Sequence, residues 1–177
     1  RGSKAIGLGS GNDPVLGLET DTVTFENCRI YNNGPGDDPN SNWGGAMSMN
    51  GSMLYDTANF VGRIINCEIV NNLEINNPGL MGACAILTSS NVTSYIVNST
   101  IADNQCFSDP RSCAVGIQDQ CDMHIYNSII YGNTPRQLGL AGDGTFPSFM
   151  YVYHSDIEGG EEEVYNTTPL NILYYDE

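Results

Sequence analysis

One nine-residue string, written five times, constrains this chain more than any other feature in it. FENCRIYNN covers Phe25 to Asn33 and returns as IINCEIVNN from Ile64 to Asn72, IVNSTIADN from Ile96 to Asn104, IYNSIIYGN from Ile125 to Asn133 and VYHSDIEGG from Val152 to Gly160. Aligned, the first column is Phe25, Ile64, Ile96, Ile125 and Val152, and the sixth is Ile30, Ile69, Ile101, Ile130 and Ile157. Both are apolar in every row. The third column is Asn27, Asn66, Asn98, Asn127 and then His154; the fourth, Cys28, Cys67, Ser99, Ser128 and Ser155, admits only small side chains. The rows are spaced 39, 32, 29 and 27 residues apart, which is a structural repeat with insertions of varying length.

Strand geometry turns these columns into a coil. Side chains of one strand alternate faces, so two inward positions should lie an even number of residues apart. Columns one and six differ by an odd number. Two short strands meeting at a corner between columns three and four restore the parity, with Asn27 and Cys28 both inward. A chain that turns a corner and repeats is winding, and successive turns then stack as parallel strands at roughly 4.8 Å. On this reading Asn27, Asn66, Asn98 and Asn127 form an inward amide ladder, and column six is a buried ladder of β-branched isoleucine.

A second, less regular family fills the gaps: KAIGLGSG from Lys4, GGAMSMNG from Gly44, MGACAILTSS from Met81 and CAVGIQDQ from Cys113. It supplies a further sheet, with Ala5, Ala46, Ala83 and Ala114 expected in one column. Gly, Asn and Asp punctuate the segments as turns, and no stretch has a helical period with caps. The expected fold is all-β, a right-handed parallel β-helix or solenoid of about five coils, forming a single domain over residues 1–177.

Charge narrows the partners. Six Lys and Arg against 21 Asp and Glu leave a net charge of −15, which repels nucleic acid and anionic membranes alike. No apolar run approaches the length of a membrane-spanning helix, so membrane insertion is not expected. Arg1 falls almost directly into the strand beginning at Ala5, and Asn171 to Tyr175 reads as a fresh strand near the other terminus, so the chain reads as a segment of a longer protein.

Of the six cysteines, Cys106 and Cys113 bracket the loop CFSDPRSC, whose Asp109-Pro110 turn brings its ends together. A disulfide is expected there, which favours an extracytoplasmic location. Cys28 and Cys67 share a column in adjacent rows and fall within disulfide reach, yet serine in the same column equally fits small buried thiols. The sequence leaves both readings of that pair open and assigns no partner to Cys84 or Cys121.

The strings NCRIYNN, NCEIVNN, NSTIADN, NSIIYGNTPRQL from Asn127 and YHSDIEGGEEEV from Tyr153, in that order, give the chain its likeness to known proteins. It resembles the secreted right-handed β-helix proteins of the pectin-lyase-like class, and more narrowly bacterial surface proteins carrying a choice-of-anchor Q domain. The resemblance covers nearly the whole chain and implies a secreted or cell-surface bacterial protein. It supplies no catalytic residues.

Catalysis has little to work with. A β-helix lyase needs a base together with a cation that neutralises the uronate carboxylate, and a hydrolase needs two carboxylates at a fixed separation. The fifth column reads Arg29, Glu68, Thr100, Ile129 and Asp156, with Arg29 placed to pair with Glu68 and the two acids separated by two intervening rows. No catalytic residue and no required cofactor are assigned. Asp37 and Asp38, in the loop GPGDDPNSNWGG, offer oxygen donors of the kind Ca²⁺ takes, with a solvated acidic turn as the competing reading. Tyr126 and Tyr153 in column two, Tyr31 and Tyr131 in column seven, and Trp43 in the acidic loop are candidate contacts for a sugar or a partner protein. The leading expectation is therefore a non-enzymatic surface module, structural or adhesin-like, that binds a glycan or a neighbouring surface protein. The runner-up is a fragment of a carbohydrate-active enzyme. A structural subunit that stacks end to end through open strand edges is the third.

Overall fold

The computed structural model describes residues 6–9, 22–34, 45–51, 60–74, 82–107, 111–142 and 144–176. Among them there is no α-helix, only a 3-10 turn at Glu161–Glu163, and every strand pair is parallel. Sheet A is built from Ile6–Gly9, Met47–Asn50, Ala83–Ser89, Cys113–Gln118, Leu138–Ala141 and Tyr165–Asn166. Sheet B takes Thr22–Glu26, Phe60–Ile65, Val92–Val97, Asp122–Tyr126, Phe149–Tyr153 and Ile172–Asp176. Sheet C takes Arg29–Tyr31, Glu68–Val70, Thr100–Ala102, Ile129–Tyr131 and Asp156–Ile157, and a small sheet D pairs Leu73–Glu74 with Gln105–Cys106. Within each sheet the strands lie in chain order, one row after the next. This all-parallel arrangement is compatible with a β-helix or solenoid-like fold.

The expected register of columns one and six is present. Phe25, Ile64, Ile96, Ile125 and Val152 are aligned across sheet B, and Ile30, Ile69, Ile101, Ile130 and Ile157 across sheet C. Both columns pack into one interior cluster with Met47, Met49, Ile86, Ile117 and Met123. Each such side chain removed from water contributes roughly 1.5–3 kcal/mol, so these two columns are a main source of the fold's stability.

The corner differs from the expectation. Asn27, Asn66, Asn98, Asn127 and His154 do not point inward; all are exposed, and all have a left-handed backbone, with φ of 55, 53, 49, 50 and 50°. The left-handed residue is itself the corner, and it shifts the alternation by one without entering the core. Asparagine suits it because its short polar side chain tolerates that conformation better than most. The fourth column does face inward, and its serines form a ladder. The backbone N–H of Cys67, Ser99 and Ser128 donates to the hydroxyl of Ser99, Ser128 and Ser155 respectively, each at 3.1 Å.

A buried asparagine ladder does exist, but in column nine. A second left-handed position, at Asn32, Asn71, Asp103 and Gly132, flips the alternation again and turns Asn33, Asn72, Asn104 and Asn133 inward. The carboxamide nitrogens of Asn33, Asn72 and Asn104 donate to the next row's carboxamide oxygen at 2.9, 2.8 and 2.9 Å. Each of those oxygens also accepts the backbone N–H of the preceding row's asparagine, at 3.0, 2.9 and 2.9 Å. At the far end Gln137 closes the ladder, accepting from Asn133 and donating to Glu158 at 2.8 Å.

In sheet A the alanine column is Ala46, Ala85 and Ala114, which face the interior cluster. Ala83 lies instead opposite Cys113, in a second cluster with Leu87 and Ala141, because the pairing shifts register between Cys113 and Val115. Ala5 lies outside the described residues. Leu138–Ala141 and Tyr165–Asn166 extend this sheet by two strands that the sequence reading did not single out.

In this structure all six cysteines are reduced, so the bond expected between Cys106 and Cys113 is not present, and the placement of the thiols bears on which pair could form one. The Cys106 thiol donates to the Cys113 carbonyl at 3.0 Å, while the Cys113 side chain belongs to the second cluster. Cys28 and Cys67 sit in adjacent rows with their thiols interacting, and burial pushes the Cys67 thiol above its ordinary range.

Candidate ligand-binding face

Inward Ile96, Ile125 and Val152 oblige their neighbours on the same strands to point out, and in sheet B those neighbours are aromatic. Tyr95, His124, Tyr151 and Tyr174 are paired in register across four successive strands. Their rings stack with centroids 4.9, 4.6 and 4.8 Å apart and interplanar angles of 11, 5 and 0°. Two residues along, Tyr126 stacks on Tyr153 at 5.3 Å, and the His124 and Tyr126 ring planes are nearly parallel, with centroids 6.2 Å apart. The strand spacing of roughly 4.8 Å falls within the range of centroid separations that offset-stacked rings prefer, so a parallel sheet makes such a stack with little distortion. On the other flank of the stack, Thr93, Asp122, Phe149 and Ile172 complete the face.

The stack sets what this face can do. Each inner ring has both faces covered by its neighbours and presents its edge outward. Past the ends of the two stacks, Arg63 stands in register beside Tyr95, Val97 beside Tyr126 and Asp176 beside Tyr153. The polar atoms are few. Partial burial pushes the Asp122 carboxyl up, opposed by the nearby His124, and pushes the His124 imidazole down, opposed by Asp122. Burial and the neighbouring Asp122 raise the Tyr151 phenol. His124 Nδ1 is covered and has no hydrogen-bond partner. The face is thus aromatic and hydroxyl-rich, with Asp122 and Asp176 in its outer columns.

Comparisons with protein-family models, with curated proteins and with solved structures give no match.

The candidates named from sequence are distributed unequally. Tyr126 and Tyr153 meet on the sheet B face. Tyr31 and Tyr131 stand on sheet C, 53% and 56% exposed, with Val70 and Ala102 between them in register. Asp37, Asp38 and Trp43 lie outside the described residues. Arg29 pairs with Glu68 at 3.0 Å and covers the Tyr31 ring at 5.1 Å. Glu68 and Asp156 are separated in register by Thr100 and Ile129, roughly 14 Å at three strand spacings. Among the described residues no group of three His, Cys, Asp or Glu is arranged to hold a metal, and no helix is long and apolar enough to cross a membrane. Sequence reasoning missed Tyr95, His124, Tyr151 and Tyr174. For three of them the signal was available: Tyr95, His124 and Tyr151 each stand one residue before column one, whereas Tyr174 lies past the five aligned rows, one residue before Tyr175, which pairs with Val152.

Proposed function

We propose that this chain is a right-handed parallel β-helix module of a secreted or cell-surface bacterial protein, and that it binds glycan through the aromatic face of sheet B without cleaving it. One observation carries the reading: the four-ring stack Tyr95–His124–Tyr151–Tyr174, with the Tyr126–Tyr153 pair beside it, on an outward face. Rigid, half-exposed aromatics with polar tips bind at little cost in side-chain entropy. The outward ring edges and hydroxyls of Tyr151, Tyr153 and Tyr174 are the contacts offered to a sugar, and the stack holds them in place. The resemblance of the coil motifs to pectin-lyase-like surface proteins with a choice-of-anchor Q domain supports the location, and the net charge of −15 points to neutral rather than acidic glycans.

The test is a neutral-oligosaccharide array followed by calorimetry on any ligand found. Tyr153→Ala with Tyr174→Ala should weaken binding at least about tenfold, a loss of about 1.4 kcal/mol. Tyr31→Ala should leave it unchanged, and no reducing ends should appear. An array without ligands, or binding indifferent to the double substitution, overturns the assignment of this face. Release of reducing ends would favour the enzymatic alternative.

A further inference from the structure

We infer that Cys84 and Cys106 are the cysteines this chain joins as a disulfide, linking sheet A to sheet D. Cys84 lies in strand Ala83–Ser89 and Cys106 ends strand Gln105–Cys106. Both face the interior cluster. Both thiols donate to one acceptor, the Cys113 carbonyl, at 3.5 and 3.0 Å, and they interact directly with each other. Cys113 itself is on the other side. It pairs with Ala83, shares that residue's cluster with Leu87 and Ala141, and turns its thiol to the Val115 carbonyl at 3.2 Å. Successive residues of a strand face opposite ways, so Ala83 and Cys113 point away from the side that Cys84 and Cys106 share. Cys106 and Cys113 thus pack into different clusters, whereas Cys84 and Cys106 share one.

The oxidant is an exchanging disulfide, of a small thiol or a protein. One cysteine thiolate attacks a sulfur of that disulfide, forming a mixed disulfide and expelling one thiol. The second cysteine then attacks the mixed disulfide at its cysteine sulfur, making the Cys84–Cys106 bond and expelling the other thiol. Two protons leave the chain, and the two electrons reduce the exchanging disulfide to two thiols. Burial, then the neighbouring Cys84, raises the Cys106 thiol well above its ordinary range, so the exchange belongs to folding, before the interior closes.

This inference is independent of glycan binding, and so is its test. Reduced, unfolded protein is refolded with oxidised and reduced glutathione, its remaining thiols are alkylated, and it is digested with chymotrypsin. Cleavage after Tyr95 and Phe107 places Cys84, Cys106 and Cys113 on separate peptides. Mass spectrometry should find the Cys84 peptide joined to the Cys106 peptide and Cys113 alkylated. Cys113→Ser should keep the cross-link and Cys84→Ser should lose it. The wild-type map decides the question even if a variant fails to fold. A Cys106–Cys113 cross-link, or Cys84 and Cys106 both recovered alkylated, overturns the inference.

Discussion

Asn98 and Asn104 stand in the same row, six residues apart, and meet opposite environments. Asn98 is exposed, with φ of 49°, and forms the corner between sheets B and C. Asn104 is fully buried. It donates to the Ile69 carbonyl and to Asn133, and accepts both the backbone and the side-chain N–H of Asn72. One residue type thus does two jobs in one repeat. At the corner asparagine is used for its tolerance of a left-handed backbone, a property of its own φ and ψ. In the ladder it is used because a carboxamide both donates and accepts, which satisfies buried backbone groups of adjacent rows.

The contrast can be broken at each column, and the effects should fall in a definite order. Asn104→Leu removes the acceptor for the Asn72 backbone N–H and the donor to Ile69, and should cost on the order of 3 kcal/mol in chemical denaturation. Ser99→Ala strands only the buried Cys67 N–H and should cost about 1–2 kcal/mol. Asn98→Ala keeps the core intact and meets only the left-handed penalty, about 1 kcal/mol, while Asn98→Gly should be close to neutral. If Asn98→Gly proved as damaging as Asn104→Leu, the two columns would not differ as described. Smallest of all, Glu68→Ala breaks an exposed ion pair with Arg29 and should shift stability by less than about 0.5 kcal/mol.

The same contrast explains what could be read from sequence. Columns one and six were legible because apolar identity in every row leaves one plausible orientation. The corner was not, because parity has two solutions: a corner between columns three and four with asparagine inward, or a left-handed residue at column three with asparagine outward. Letters alone do not report φ. The ninth column was hidden for the same reason, since the left-handed position at Asn32, Asn71, Asp103 and Gly132 must be known before Asn33, Asn72, Asn104 and Asn133 are seen to turn inward. In the candidate face, Tyr126 and Tyr153 could be picked out because they lie inside the nine-letter string, whereas Tyr95, His124 and Tyr151 lie just before it and Tyr174 lies past its last copy. Cys106 and Cys113 were paired by their short loop, yet they pack into different clusters.

Hydrogen exchange of the asparagine side-chain amides, followed by NMR with assigned carboxamide resonances, tests the two-column account most directly. Asn72 and Asn104 should exchange slowly, on the timescale of opening of the interior, while Asn98 and Asn127 should exchange at rates near those of free asparagine. Slow exchange at Asn98 and Asn127 with fast exchange at Asn72 and Asn104 would contradict it.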